Sequence, residues 1–190
     1  MEKDEVGVVH GRFQILHRGH MEYMLAGKAR CRYLLVGISN PDSATTKFTE
    51  ANPHRSVPLS NPLTYFERFQ MITGALLEAG LERRDFDIVP FPINYPDLIF
   101  NYVPKDAKYY MTLYDAWSLE KKQTLSALGC DVDVLWTRTN AEKLVSGTEV
   151  RNLIIAGKAW EHLVPGFVRE YVAAHRIDLR LRSMAAAEGM

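Results

Sequence analysis

Gly11-Arg12-Phe13-Gln14-Ile15-Leu16-His17-Arg18-Gly19-His20 follows the apolar run Val6-Gly7-Val8-Val9 and precedes a helical pattern that begins near Met21. A buried strand that ends in glycine and turns directly into a helix delivers backbone N–H groups and the positive end of a helix dipole to one point, which favours an anion such as phosphate. His17 and His20 stand three apart at the helix entry, so both imidazoles can project from one side of the first turn. The stretch therefore predicts a strand-to-helix joint with an anion site at the joint. Gly11, Arg12, Phe13, Gln14 and Gly19 would surround the anion, with His17 and His20 as donors to it.

Working outward, residues 32–38 repeat the buried-strand pattern, and strand, helix, strand predicts a right-handed parallel crossover. Further strands are expected at 87–91, 107–113 and 131–136. Thr64, with Glu67 three positions on, reads as a capping box opening a helix. Another helix is expected at 116–128, ended by Gly129, another from Ser146 to Gly157, and a last one at 159–174 with a break at Pro165. Together these predict an α/β fold, a doubly wound parallel five-stranded Rossmann-like sheet of order 3-2-1-4-5 with C-terminal helices. Ligands in such sheets sit beyond the strand ends where the order reverses, here between strands one and four. Residues 1–176 read as a single domain, and 177–190 as a tail or linker with little to bury.

With 190 residues the chain is long enough for one well-buried domain. Its 23 Lys and Arg balance 23 Asp and Glu, so no net field favours long nucleic acid or an anionic membrane. Cys31 and Cys130 stand alone, without zinc-ligand spacing. No run is long and apolar enough to span a bilayer, and a soluble cytoplasmic protein is expected. Neither a Gly-x-Gly-x-x-Gly fingerprint nor a P-loop is present, which argues against dinucleotide redox chemistry and P-loop hydrolysis. Residues 39–63 form a long stretch without periodicity; there Lys47, His54 and Arg55 are placed either to close over a polyphosphate or to stay solvated.

Ser146-Gly147-Thr148-Glu149-Val150-Arg151 supplies the second half of the anion site. Its hydroxyls can serve as simple helix caps. Combined with Arg151 one turn on, they make a second phosphate cradle.

These strings carry a resemblance. Gly11-Arg12-Phe13-Gln14 with His17-x-Gly19-His20 resembles the His-x-Gly-His signature of the nucleotidyltransferase superfamily related to cytidylyltransferases. The likeness is greatest to the nicotinamide mononucleotide adenylyltransferase branch, whose usual Pro is Ile15 here. Asn61-Pro62-Leu63-Thr64 through Ile72 is similar to a further segment of that branch, which would turn Arg68 toward the site. Ser146 to Arg151 resembles the superfamily's motif that grips the outer phosphates, and Trp160-Glu161-His162-Leu163-Val164-Pro165 is similar to a string that follows it. The resemblance implies transfer of a nucleotidyl group from ATP or CTP to a small phosphorylated acceptor, with release of pyrophosphate. His17, His20 and Arg151 would be catalytic, and Mg²⁺ would be held by substrate phosphates, with no metal ligand from a side chain.

In that branch the acceptor is bound after strand three by an Asn and a stacking Trp. Here Asn94 is present, while Tyr95, Phe100 or Tyr102 would have to replace the Trp. Adenylyl transfer to a nicotinamide-type mononucleotide is the leading expectation. The alternatives are CTP-dependent transfer to a small phosphate or phosphonate, and a non-catalytic nucleotide sensor. Nucleic acid and membrane are not expected as partners, and a homo-oligomer is left open.

Overall fold

The computed structural model describes residues 2–42 and 57–189. Among them five strands run parallel: β1 (Asp4–Gly11), β2 (Cys31–Ser39), β3 (Phe86–Phe91), β4 (Lys108–Leu113) and β5 (Asp131–Thr137), in the spatial order β3-β2-β1-β4-β5. This is the expected doubly wound order. Side chains alternate across a strand, so neighbouring residues enter different cores. Val9 packs with Leu34, Val36, Ile88 and Tyr110 on one face, and Val8 with Leu35, Phe91, Tyr109 and Met111 on the other. Pro90 pairs with Ile38 on edge strand β3, where its missing N–H costs no ladder bond on the open side.

Among the described residues six α-helices cover the sheet: α1 (Arg18–Arg30), α2 (Tyr65–Glu78), α3 (Ala116–Ala127), α4 (Gly147–Ile155), α5 (Gly166–Ala174) and α6 (Ile177–Ala187). Helix α1 comes close to β1 because position 27 is glycine: a Cβ there would lie 2.7 Å from Val9 Cγ1. The capping box that opens α2 is present, Glu67 N–H donating to Thr64 Oγ1 at 3.2 Å and Thr64 N–H to Glu67 Oε2 at 2.9 Å. Gly129, at φ +80, follows α3.

Two expectations are corrected. Pro165 does not break a helix: a short 3-10 turn, Glu161–Leu163, precedes it, and Pro165 is the N-cap of α5, where its missing N–H is not needed. The expected tail is largely α6. Its Ile177 and Leu181 are buried in the core around Val9 and its Ala185 is buried too, and Arg180 donates two hydrogen bonds to the Glu67 carboxylate, at 2.9 and 2.6 Å. The apolar stripe at 177, 181 and 185 has the i, i+4, i+8 spacing of an amphipathic helix. Among the described residues no helix is long and apolar enough to cross a membrane.

Candidate active site

A cavity of about 400 Å³ opens beyond the carboxyl ends of β1 and β4. The joint after β1 forms one wall. Phe13, at φ +54, is fully buried and meets the His20 ring edge-on at 4.9 Å; it supports the wall from below and does not line the cavity. The Gln14–Ile15 peptide is cis. The Gln14 side chain is occupied with the backbone of Leu63, accepting from its N–H at 2.9 Å and donating to its carbonyl at 3.0 Å. Arg12 lines the cavity while donating to Ser60 O and Asn61 Oδ1, both at 3.4 Å.

The two histidines form a capping box of their own. His20 N–H donates to His17 Nδ1 at 3.3 Å, and His17 N–H donates to His20 Nδ1 at 3.4 Å. The rings stack at 3.6 Å between centroids. An Nδ1 that accepts a backbone N–H leaves the ring proton on Nε2, so both imidazoles are Nε2–H donors. Burial, reinforced by the charges of Arg151 and Lys143, lowers the His17 pKa to about 3. Burial, then the neighbouring His17 and Arg12, holds that of His20 well below the ordinary value. The free protein therefore presents two neutral donors at neutral pH.

The opposite wall is the start of α4. Ser146 caps it, accepting from Glu149 N–H at 3.1 Å. At position 147 a Cβ would lie 2.7 Å from the Gln14 carbonyl oxygen; only glycine lets the two walls touch. Arg151 closes the contact, donating to that same oxygen and to Thr148 Oγ1 at 3.1 Å. Its guanidinium is buried, and burial brings its pKa down to about 10, still cationic at neutral pH. Its hydrogen bonds go to a carbonyl and a hydroxyl rather than to a carboxylate. A buried cation of that kind favours an anionic occupant of the cavity.

The structure thus brings Gly11, Arg12, Gln14, His17, Gly19, His20, Ser146, Gly147, Thr148, Arg151 and Asn94 together around one cavity. It does not bring the others. Arg68 is 2% exposed and donates to the carbonyls of Arg12, Ser39, Asn40, Pro41 and Thr64, so it clamps the chain after β1 and β2 from beneath. Its cationic head is spent on backbone carbonyls and does not face the site. Tyr95 and Phe100 are not among the lining residues. After β3 the chain enters a 3-10 helix, Pro96–Asn101, whose Ile99 is fully buried and draws Phe100 onto the core around Phe91 and Tyr109. Lys47 and Arg55 lie outside the described residues.

Side chains not expected from the sequence also line it: Thr112 and Tyr114 at the end of β4, Trp117 and Lys121 on α3, Lys143 before α4, and His10 on β1. The signal for them was the reversal of strand order, since residues just past β4 must border the same crevice as those past β1. Among the described lining residues cations outnumber acids: Arg12, Lys121, Lys143 and Arg151 stand against one carboxylate, Glu22, which two hydrogen bonds tie to Arg138. Among the described residues no group of three His, Cys, Asp or Glu side chains could hold a metal ion.

A parallel sheet of this order, with two helix N-termini and a cationic lining at its switch point, is the framework of a nucleotide-binding α/β protein. The chain belongs to the cytidylyltransferase-like family, whose model matches residues 8–153. It is 49% identical over 177 residues to a phosphonoformate cytidylyltransferase of Streptomyces viridochromogenes, covering 93% of this chain and 95% of that one. It is 31% identical over 180 residues to a nicotinamide-nucleotide adenylyltransferase of Pyrococcus horikoshii, covering 94% and 88%. Among solved structures it is similar to a bifunctional NMN adenylyltransferase/ADP ribose pyrophosphatase from Francisella tularensis, with a TM-score of 0.67 and 14% identity. That match covers 95% of this chain and 53% of the other, so the chain spans about half of that protein, and the likeness shows the fold alone.

Proposed function

We propose that this enzyme transfers a cytidylyl group from CTP to a small phosphonate or phosphate acceptor and releases pyrophosphate. The observation that carries the transfer chemistry is the meeting of Gly147 and Arg151 with the Gln14 carbonyl, which makes one anion pocket of two motifs 126 residues apart, counted from His20 to Ser146. The choice of CTP rests on the greater likeness to the phosphonoformate cytidylyltransferase, 49% against 31% for the adenylyltransferase.

An acceptor phosphonate is anionic at neutral pH and needs no general base. One of its oxygens attacks the α-phosphorus, the bond from that phosphorus to the bridging oxygen breaks, and the electron pair leaves with pyrophosphate. Catalysis then consists of positioning and charge stabilisation. His17 and His20 donate from Nε2–H to oxygens of the α- and β-phosphates, where charge grows as the bridge breaks. Arg151 and Lys143 neutralise the outer phosphates, Ser146, Gly147 and Thr148 cradle them, and Arg12 assists from the other wall. Mg²⁺ would enter with the triphosphate substrate and offset its charge; the single acid among the described lining residues, Glu22, is already committed to Arg138. The use of a free nucleoside triphosphate as donor supports a cytoplasmic location.

Pyrophosphate release, measured with each nucleoside triphosphate against phosphonoformate and nicotinamide mononucleotide, tests this reading. Release with CTP and phosphonoformate is expected. Release only with ATP and the mononucleotide would return the enzyme to adenylyl transfer, and no release with any pair would make it a sensor.

A further inference from the structure

The cations around the cavity fall into two groups. Arg151 and Lys143 act on His17, and Arg12 acts on His20, all at the end that holds the triphosphate in the proposed reaction. Lys121 comes from a different element, α3, which follows β4. It is the charge that acts on His10, at the end of β1, and it stands one helical turn beyond Trp117. Residues four apart share a helix face, and both Trp117 and Lys121 line the cavity.

His10 also lines this end. Its ring lies flat on Phe91 at 4.5 Å, and neither ring nitrogen has a hydrogen-bond partner. Buried polar atoms without partners are uncommon in folded proteins and mark a place where a ligand or water completes the bonding. Asn94 reaches the same region from beyond β3, donating to Asn40 Oδ1 at 3.0 Å.

With the triphosphate assigned to the joint after β1 and the start of α4, the side of the cavity lined from α3 is left for the acceptor. We infer that Lys121, backed by Trp117 and His10, forms a subsite for a second acidic group on the acceptor, so that the enzyme selects a small phosphonate carrying a carboxylate. The inference rests on the cytidylyl-transfer reading of the cavity. An ammonium in a half-buried setting forms a charge-assisted hydrogen bond with a carboxylate. The same ammonium repels the pyridinium ring of nicotinamide mononucleotide, so one residue both attracts the chosen acceptor and rejects the other.

The test compares phosphonoformate with methylphosphonate, which lacks the carboxylate, as acceptors with CTP, in the unaltered enzyme, Lys121→Met and Lys121→Arg. Selectivity is read as the ratio of the two kcat/KM values. The Met variant should lower that ratio about ten- to a hundred-fold, chiefly through the KM of phosphonoformate, and the Arg variant should keep most of it. A ratio unchanged in the Met variant, or a loss that falls on the KM of CTP instead, overturns the inference while leaving transfer intact. Turnover of methylphosphonate but not phosphonoformate by the unaltered enzyme overturns it too. No pyrophosphate from the unaltered enzyme with any acceptor overturns the transfer reading itself.

Discussion

At one end of the cavity Gly147 and Arg151 close on the Gln14 carbonyl, and two imidazoles cap each other's backbone. At the other, His10 comes from β1, Asn94 from the segment after β3, and Trp117 and Lys121 from α3, and among the described residues no such frame joins them. The first end is built at the level of the backbone: a Cβ at 147 has no room, and the tautomer of each histidine follows from which N–H it accepts. Such an end tolerates little change. The second is an arrangement of side chains on a scaffold, free to alter with the acceptor while the fold stays the same.

If that contrast is real, changes at the first end should be severe and should not depend on the acceptor. Arg151→Ala removes the cation that joins the two walls and should lower kcat/KM by about a thousand-fold, the scale for losing a preorganised charge-stabilising donor. Pyrophosphate release with two acceptors checks it: a loss confined to one of them would place Arg151 in acceptor recognition instead. His20→Ala should come next, with turnover down about a hundred-fold and CTP affinity moved only modestly, because its donor matters most as charge moves onto the leaving group. Equal turnover for variant and parent would remove His20 from the chemistry.

A third, smaller effect lies in stability. The folded protein takes up a proton on His17 only near pH 3, whereas the unfolded chain does so near 6.5. Below pH 6.5 the unfolded state therefore binds protons that the folded state refuses. The stabilisation is complete above 6.5 and is lost as pH falls toward 3. His10 and His20 act in the same direction. His17→Asn keeps a side chain suited to an N-cap but removes this titration. Between pH 7 and pH 5 it should lose about 2 kcal/mol less than the parent, from a shift of this size. Urea unfolding at the two pH values measures the difference, and parallel losses would mean His17 is protonated in the folded state.

The same contrast accounts for what could be read from the residues. Gly11 to His20 and Ser146 to Arg151 are contiguous strings whose chemistry depends on local spacing, and the strand order followed from placing the first string after strand one. Arg68 was misplaced because a charged side chain reads as solvent- or ligand-facing, and nothing in its neighbours announces five carbonyls waiting beneath it. Trp117 was missed for the opposite reason: an aromatic near the start of a helix reads as packing, and only the turn after β4 places it over the crevice. The acceptor end is thus written in tertiary structure, across elements that no local pattern connects. Helix α6 escaped for a plainer cause, since its three buried positions lie among arginines that dilute the apolar stripe.

That helix offers the smallest and cleanest probe of the separation between scaffold and site. Arg180 meets Glu67 by two hydrogen bonds, with Glu67 13% and Arg180 37% exposed. The pair joins α6 to the start of α2, one residue from the Arg68 clamp. Arg180→Gln should cost about 1 kcal/mol, as for a partly exposed ion pair, and lower the melting temperature by roughly 2–4 °C in a chain of this size. Glu67 keeps its bonds to Thr64, so α2 stays capped and Arg68 keeps its carbonyls. Turnover at a temperature well below the transition should therefore equal that of the parent. If turnover falls while the melting temperature holds, the ion pair is coupled through Arg68 to the backbone of Arg12 and Ser39, and the scaffold and the first wall of the cavity are a single mechanical unit.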